Sequence, residues 1–208
     1  MVEDLPQLRA CDELGFAFGW VADEFLQRCG HALVDMGRVW LVDPLDGDGV
    51  EERVRAAGEP AGVLQLLDRH NRDCAELAAR LGVPRHVVPR APIERAPFEF
   101  RVVRAGRWWK EVALWWPQRR VLVCGDALGT IRPFRAGGEP LALHPLLRLT
   151  PPRGALSGLE PQHVLCGHGA GVHGDEAAPS VREALATARR RLPRAWLHGL
   201  RASARARR

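Results

Sequence analysis

The sequence has no long apolar run, and it does not open with the basic segment and apolar stretch of a secretory signal. Its first residues, Met1-Val-Glu-Asp-Leu-Pro6, are acidic, and no apolar stretch approaches the length of a membrane-spanning helix. We therefore expect a soluble, cytoplasmic protein with no membrane partner.

Cysteine is scarce and irregularly spaced. The chain has 5 cysteines, and no two of them form a C-x-x-C pair. This pattern excludes a regular disulfide framework and indicates no structural zinc knuckle, so we expect reduced thiols. Cys124 and Cys166 lie inside apolar runs, and we expect both to be inert, buried side chains.

Lysine is nearly absent, since Lys110 is the only lysine among 30 basic residues. We interpret this as a coding bias toward arginine, which does not by itself indicate nucleic-acid binding. No acidic residue follows Glu183, and 8 of the basic residues lie after Ala188, which leaves 22 basic against 25 acidic residues up to that point. The net charge of +5 is therefore a property of the C-terminus.

The length of 208 residues fits a single domain. We predict one domain over 1–192 and an arginine-rich tail over 193–208, because Pro193 is expected to end the last helix. Two interpretations of the tail are open. It is either a solvated helical end, which terminal charge runs commonly are, or an arm that contacts nucleic-acid phosphates.

Hydrophobic periodicity predicts a mixed α/β chain. Strands are predicted at 16–20, 31–35, 39–43, 61–67, 85–89, 98–103, 110–116, 121–124 and 161–166, and helices at 49–58, 73–81 and 180–192. The strand, helix and strand between 61 and 89 have the size of a βαβ unit. The stretch 125–158 shows no sustained period and is predicted to be mostly loop.

Polar side chains capable of metal binding follow three apolar runs. Two of the runs end alike, in Val-Leu-Val-Cys-Gly-Asp126 and Val-Leu-Cys-Gly-His168, and the third leads into Asp-Arg-His-Asn-Arg-Asp-Cys74 before a helix starts. Glycine lets the backbone turn sharply at the end of a strand. We therefore expect these three strand ends to converge and to carry the chemistry of the protein.

This order of elements and motifs resembles the metallo-β-lactamase superfamily over nearly the whole chain. The resemblance implies a four-layer αβ/βα sandwich with a metal site at one edge. The family motif T-H-x-H-x-D-H falls on 68–74, the motif G-H-x-x-G falls on 106–110, and the G-D and G-H strand ends fall on Gly125-Asp126 and Gly167-His168.

The resemblance also implies that the metal site is degenerate. Three histidine positions that hold one metal in the family are occupied here by Arg69, Asn71 and Arg107, so that ion has no ligands. The positions that hold the other metal carry four residues that can all bind zinc, namely Asp73, Cys74, Asp126 and His168. His70 falls on a spacer position and is expected to point elsewhere, unless the loop has shifted by one residue.

Two interpretations of this site are open. In one, a single zinc ion is held by the four remaining ligands, while Arg69 and Arg107 bind an anionic substrate and His70 and His173 line the cavity. The protein would then hydrolyse an ester, thioester or amide of a small anionic molecule. In the other, which the substitutions favour, no metal binds, an arginine neutralises the carboxylates, and hydrolytic activity is low or absent.

Two further candidates have simpler alternatives. Cys74 opens a helix whose dipole would lower the pKa of a thiol, which would suit a nucleophile near His70, although a cysteine at a helix start is usually only a small residue that fits. The pairs Trp108-Trp109 and Trp115-Trp116 place one indole on each face of a strand, and an exposed indole would suit a ligand pocket or a homodimer contact.

Overall fold

The computed structural model describes residues 7–206. Thirteen strands lie at Leu8–Leu14 (β1), Ala17–Ala22 (β2), Cys29–Asp35 (β3), Arg38–Val42 (β4), Glu59–Gln65 (β5), Arg85–Val87 (β6), Glu99–Ala105 (β7), Lys110–Trp116 (β8), Val121–Cys124 (β9), Leu128–Gly129 (β10), Ala142–Leu143 (β11), His163–Cys166 (β12) and Val172–His173 (β13). Four α-helices lie at Val50–Ala57 (α1), Cys74–Leu81 (α2), Arg153–Leu156 (α3) and Ala177–Ala206 (α4).

The first half of the chain forms a six-stranded sheet in the order β1-β2-β3-β4-β5-β6. Strands β1 to β4 are antiparallel neighbours, and β4, β5 and β6 run parallel. The crossovers through α1 and α2 allow this parallel pairing, because parallel neighbours need a helix-sized connection between them. As a result, β4 and β5 end at the same edge of the sheet.

The second half forms a five-stranded sheet in the order β13-β12-β9-β8-β7. Strands β7, β8 and β9 form an antiparallel meander, and β9 pairs in parallel with β12. A separate pair, β10 with β11, follows β9 in the chain. Because β9 and β12 are parallel neighbours, the residues that follow them leave the sheet side by side.

The two sheets pack face to face and are covered by helices on their outer faces. Side chains of both sheets meet between them, with Leu33, Trp40 and Leu64 from the first and Leu114, Trp116 and Leu165 from the second. Helices α1 and α2 cover the outer face of the first sheet, and α4 covers that of the second. This arrangement confirms the predicted four-layer sandwich.

Local structure differs from the sequence prediction in several places. Strand β1 was not predicted, because its sequence Leu-Arg-Ala-Cys-Asp-Glu-Leu has no β-branched or aromatic residue. The stretch 125–158, predicted to be mostly loop, contains β10, β11 and α3. Helix α4 begins at Ala177 and continues through Pro193, whereas the prediction ended it there.

Among residues 7–206, no helix has both the length and the hydropathy that crossing a bilayer requires.

Candidate metal centre

Asp126 and His168 stand next to each other because their strands do. Cys124 at the end of β9 is paired with Cys166 at the end of β12, and each strand is followed by a glycine. A Cβ on Gly167 would lie 2.4 Å from the Gly125 carbonyl oxygen, so no larger residue fits without a shift of the backbone. The two glycines therefore bring the following side chains into one site.

His70, Asp126 and His168 form a buried group. His70 Nε2 lies 3.0 Å from Asp126 Oδ1, and His168 Nε2 lies 3.0 Å from the same oxygen. One ligand atom from each residue lies within 4.8 Å of the other two, and each residue is less than a tenth exposed. Two imidazoles and one carboxylate in this arrangement are a donor set that zinc accepts.

The other ring nitrogen of each histidine is held by an acceptor. His70 Nδ1 lies 2.9 Å from Asp43 Oδ2, and His168 Nδ1 lies 2.8 Å from the Leu26 carbonyl oxygen. Both oxygens only accept, so each Nδ1 carries a hydrogen, and each ring turns its Nε2 toward Asp126. Partners of this kind fix the orientation of histidines that bind metals.

Asp43 reaches the site from the end of β4. Its backbone has a φ of 41°, in the left-handed region that non-glycine residues seldom adopt. Its Oδ1 accepts a hydrogen bond from the Leu66 backbone N–H at 2.8 Å, while Oδ2 faces His70. Asp43 thereby joins the end of β4 to the segment that follows β5.

The charges of the group stabilise one another. Burial alone would raise the pKa of Asp126, but hydrogen bonds from His168 and His70 and their charges outweigh it and hold this pKa well below the ordinary value of 3.8. For His70, burial and the charge of Arg72 act to lower the pKa, yet the two carboxylates, Asp43 and Asp126, raise it. The two carboxylates therefore stabilise the protonated imidazole of His70 relative to the neutral ring.

Arg69 lies over the open side of the group. Its Nη2 donates to Asp126 Oδ2 at 3.1 Å, and its Nη1 donates to the Trp108 carbonyl oxygen at 3.2 Å. The guanidinium lies 4.1 Å from the centre of the Trp109 ring, a cation–π distance. Its side chain is 44% exposed, so donors of the same guanidinium remain accessible to a ligand.

Glu111 supports the turn that carries Asp126. It is completely buried on β8, and its Oε1 accepts from the backbone N–H groups of Asp126 and Ala127 at 2.9 and 2.8 Å. Its Oε2 accepts from Trp109 Nε1 at 2.8 Å. Burial and the nearby Asp126 charge raise the pKa of Glu111 to about 7.

Arg72 joins three strand ends beneath the group. One guanidinium nitrogen donates to the carbonyl oxygens of Cys29 and Asp43, and the other donates to that of Gly167 at 2.9 Å. These carbonyls come from both sheets. Arg72 therefore fixes the edge of the sandwich at which the group is assembled.

Two of the four predicted metal ligands, Asp126 and His168, lie in this group, and the other two make different contacts. Asp73 Oδ2 accepts from the Asp46 backbone N–H at 2.8 Å. Cys74 is buried, with its sulfur 3.5 Å from the His70 carbonyl oxygen. In place of both, His70 completes the group from the position that the motif treats as a spacer.

Cys74 does not have the electrostatic surroundings of a nucleophile. Burial, followed by the charge of Asp43, raises the pKa of its thiol far above the ordinary value of 9.0. The alternative of a reactive thiol is therefore not supported, and Cys74 fits the simpler interpretation of a small, buried residue at a helix start.

The three remaining predicted site residues each make different contacts. Arg69 reaches Asp126, as expected for an arginine that neutralises this carboxylate. Arg107 is exposed and stacks on Trp108 at 4.9 Å from the ring centre. His173 bonds Asp12 at 2.9 Å in a separate cluster, because β13 lies on the far side of β12.

Two residues of the centre, Asp43 and Glu111, were missed in the sequence although each carries a local signal. Asp43 ends the run Val-Trp-Leu-Val-Asp in the same way as Asp126 ends its own strand. Glu111 is a single acidic residue inside an apolar strand. His70 was expected to line the cavity, or to turn inward if the loop has shifted by one residue, and the φ of 41° at Arg72 shows that this loop is sharply turned.

Comparisons with known proteins connect the chain to others by fold. No family model and no curated protein matches the sequence. Among solved structures, the metallo-β-lactamase TMB-1 superimposes with a TM-score of 0.63 at 14% identity, over 89% of this chain and 99% of its own. The DIM-1 metallo-β-lactamase gives a TM-score of 0.60 at 16% identity, over 89% of this chain and 98% of its own.

A neighbour outside the lactamases shares the same architecture. A fragment of a putative diflavin flavoprotein from Nostoc sp. PCC 7120 superimposes with a TM-score of 0.60 at 11% identity, over 90% of this chain and 99% of its own. All three superpositions have TM-scores of 0.60 or above and extend over about nine-tenths of this chain. The chain therefore has the metallo-β-lactamase fold.

Proposed function

We propose that this protein binds one zinc ion through His70, Asp126 and His168 and hydrolyses an ester, thioester or amide of a small anionic substrate at that site. The observation that carries the proposal is the convergence of two Nε2 atoms on one carboxylate oxygen, each at 3.0 Å. Three protein ligands, rather than four, are the number that holds zinc in catalytic sites.

The residues present fit a zinc ion. Both histidines have their Nδ1 occupied by fixed acceptors, so each Nε2 is the atom that is available to coordinate. Asp126 adds a carboxylate oxygen and a negative charge. Zinc bound there would supply Lewis-acid polarisation of the substrate carbonyl.

The chain's own residues supply binding and orientation. Arg69 is held in place by Asp126 and by the face of Trp109, while its partly exposed guanidinium faces solvent. A guanidinium binds a carboxylate or phosphate through two parallel hydrogen bonds, so Arg69 would orient an anionic substrate beside the metal ligands. Asp43 and the Leu26 carbonyl oxygen hold each imidazole ring in its orientation while the substrate binds.

A second candidate function is a metal-free binding pocket without hydrolytic activity. The observation that favours it is the contact of Arg69 with Asp126 Oδ2 at 3.1 Å, because this arginine already neutralises part of the carboxylate's charge. In this alternative the hydrogen-bonded group would serve only as structure beneath an anion-binding arginine.

Elemental analysis of protein purified without chelator separates the two candidates. We expect bound zinc, and we expect His70→Asn and His168→Asn each to lower the content by one ion per chain. Both variants should lose hydrolysis of a panel of small anionic esters and thioesters. His198→Asn is a matched control, since this histidine is exposed on α4, and it should keep both properties.

The absence of zinc from these residues would lead to the opposite conclusion. If wild-type protein takes up no zinc at these residues even after zinc is added, the metal-free candidate stands and the hydrolase proposal fails. Circular dichroism of each variant checks that a loss of metal does not reflect a loss of fold.

A further inference from the structure

A second cluster of metal-binding residue types lies on the other side of β12. The ligand atoms of Cys11, Asp12 and His31 all lie within 4.8 Å of one another. The side chains of Asp12 and His31 are each only 2% exposed, and Cys11 is half-buried. No residue of this cluster belongs to the His70-Asp126-His168 group.

A glycine on the middle strand allows the cluster to form. Gly19 of β2 is paired with Cys11 of β1 on one side and with His31 of β3 on the other. A Cβ on Gly19 would lie 2.7 Å from His31 Cδ2 and 3.1 Å from Cys11 Sγ. Because Gly19 has no side chain, the thiol and the imidazole meet above it.

A break in the register of β1 adds the carboxylate. The pairing of β1 with β2 is interrupted between Cys11 and Leu14, and Asp12 has a φ of 53°. The carboxylate lies 3.2 Å from His31 Nε2 through Oδ2. Its Oδ1 accepts from the Gly171 backbone N–H at 2.7 Å and lies 2.9 Å from His173 Nε2.

The cluster brings a thiol, a carboxylate and an imidazole together, and a divalent cation would bind to all three. A thiol thus stands beside a carboxylate and an imidazole, and a divalent cation bound there would favour the thiolate form.

We propose that Cys11, Asp12 and His31 form a second metal site that binds zinc. Thiolate, carboxylate and imidazole are all zinc ligands, and a thiolate disfavours Mg²⁺ and Ca²⁺, which prefer oxygen. The left-handed backbone at Asp12 and the missing side chain at Gly19 bring the three groups together above β2. The site joins β1 and β3 and, through Asp12, reaches the second sheet.

Cobalt(II) titration of the metal-stripped, reduced full chain tests this site separately from the proposed catalytic site. A thiolate that binds cobalt produces a near-ultraviolet charge-transfer band, whereas a His-Asp-His site produces none. We expect this band to reach its maximum with one equivalent of cobalt at the thiol site. Zinc should abolish it by competition.

Three variants assign the band. Cys11→Ser and His31→Gln should remove it or weaken it at least tenfold at the same cobalt concentration. Cys74→Ser is the matched control for loss of a buried thiol and should retain it, as should His168→Asn. Thermal unfolding identifies any variant that is no longer folded.

Two results of the cobalt titration would overturn the proposal of a thiol site. If the folded wild-type chain shows no thiolate band in excess cobalt, the cluster only forms hydrogen bonds between the two sheets, and the proposal fails. A band that survives in Cys11→Ser also overturns it. Neither result depends on whether His70 and His168 bind metal.

Discussion

At the scale of single residues, His70 sets the properties of the centre. Its Nδ1 faces Asp43 and its Nε2 faces Asp126, and both carboxylates only accept hydrogen bonds. Without a metal, both ring nitrogens of His70 face carboxylate acceptors, whereas a metal ion would take the place of the hydrogen on Nε2. The same side chain suits both the metal-free and the zinc-bound candidate. We expect the neighbouring Arg69 to influence the affinity of the site for zinc.

Replacing Arg69 by glutamine should raise the affinity for zinc by about tenfold or more. The guanidinium holds Asp126 Oδ2, and its positive charge repels a second cation at short range. Competition with a chromophoric chelator measures the change. Arg107→Gln is the control, since Arg107 is exposed and stacks on Trp108, and it should leave the affinity unchanged. An unchanged or lower affinity in Arg69→Gln would contradict this account.

Replacing Glu111 by glutamine should lower the free energy of unfolding by about 1–3 kcal/mol. The carboxylate accepts three hydrogen bonds in a fully buried position, and the amide group of glutamine would turn a donor toward one of these three donors. Urea denaturation gives the difference. The exposed Glu99→Gln should change stability by less than about 0.5 kcal/mol, and an equal effect in both variants would argue against the role of Glu111.

At the scale of elements, the strand ends were predictable and the loop geometry was not. Buried apolar runs that stop at glycine identified Asp126 and His168, because both signals are local in the sequence. The inward turn of His70 depends on the backbone at Arg72 and on contacts with Asp43, which lies 27 residues away from His70. Long-range contacts of this kind leave no periodic pattern, and the same is true of the cluster above Gly19.

Helix α4 shows a similar limit. Pro193 lacks the backbone hydrogen that the interior of a helix uses, so the sequence predicted an end there. Before the proline, the buried face of the helix packs against the second sheet through Val181, Ala184 and Ala188. Beyond it, Ala195 is also fully buried. Packing thus outweighs the local preference of one residue.

Replacing Gly167 by alanine should separate Asp126 from His168. Its new Cβ would lie 2.4 Å from the Gly125 carbonyl oxygen, so we expect a loss of about 1–3 kcal/mol of stability and of one bound zinc. Gly154→Ala is the matched control, because that exposed helical glycine has open space around it and should be neutral or stabilised by up to about 1 kcal/mol. Full zinc binding by Gly167→Ala would disprove this step.

Arg80 connects α2 to the loop after β4 and should make stability dependent on pH. It donates to both carboxylate oxygens of Asp46 at 2.7 Å, and this bond lowers the pKa of Asp46 below its ordinary 3.8. A lowered folded-state pKa contributes stability above 3.8 that is lost as the pH falls through the folded value. Because Arg80 is 43% exposed, Arg80→Met should cost less than about 1 kcal/mol at neutral pH.

Urea unfolding at neutral pH and again below the folded-state pKa of Asp46 checks this dependence. The difference between wild type and Arg80→Met should shrink in acid. Arg101→Met removes a single exposed contact with Glu99 and serves as the comparison. A difference for Arg80→Met that grows in acid would reverse the sign and refute the interpretation.

At the scale of the whole molecule, the proposed catalytic site exists only where the two sheets meet. Asp43 and His70 follow strands of the first sheet, and Asp126 and His168 follow strands of the second. The proposed thiol site has the same character, because Asp12 bonds to residues of the second sheet. Metal binding at either site should therefore stabilise the packing of the sheets.

The C-terminal arginines take part in this packing to some extent. Arg189 donates to the Leu149 carbonyl oxygen, and Arg191 pairs with Glu139 and Glu183. The division into a domain at 1–192 and a tail at 193–208 stays a prediction, as do the nucleic-acid alternative for the tail, the homodimer and the cytoplasmic location. Loss of any nucleic-acid binding on deletion of 193–208 would support the arm.

Anomalous scattering at the zinc edge, from crystals grown with zinc and without chelator, tests the central claim most directly. We expect a peak about 2.0–2.2 Å from His70 Nε2, Asp126 Oδ1 and His168 Nε2, with Arg69 moved away from Asp126. Density that shows Arg69 still bonded to Asp126, with no anomalous peak beside the two histidines in zinc-soaked crystals, would contradict it.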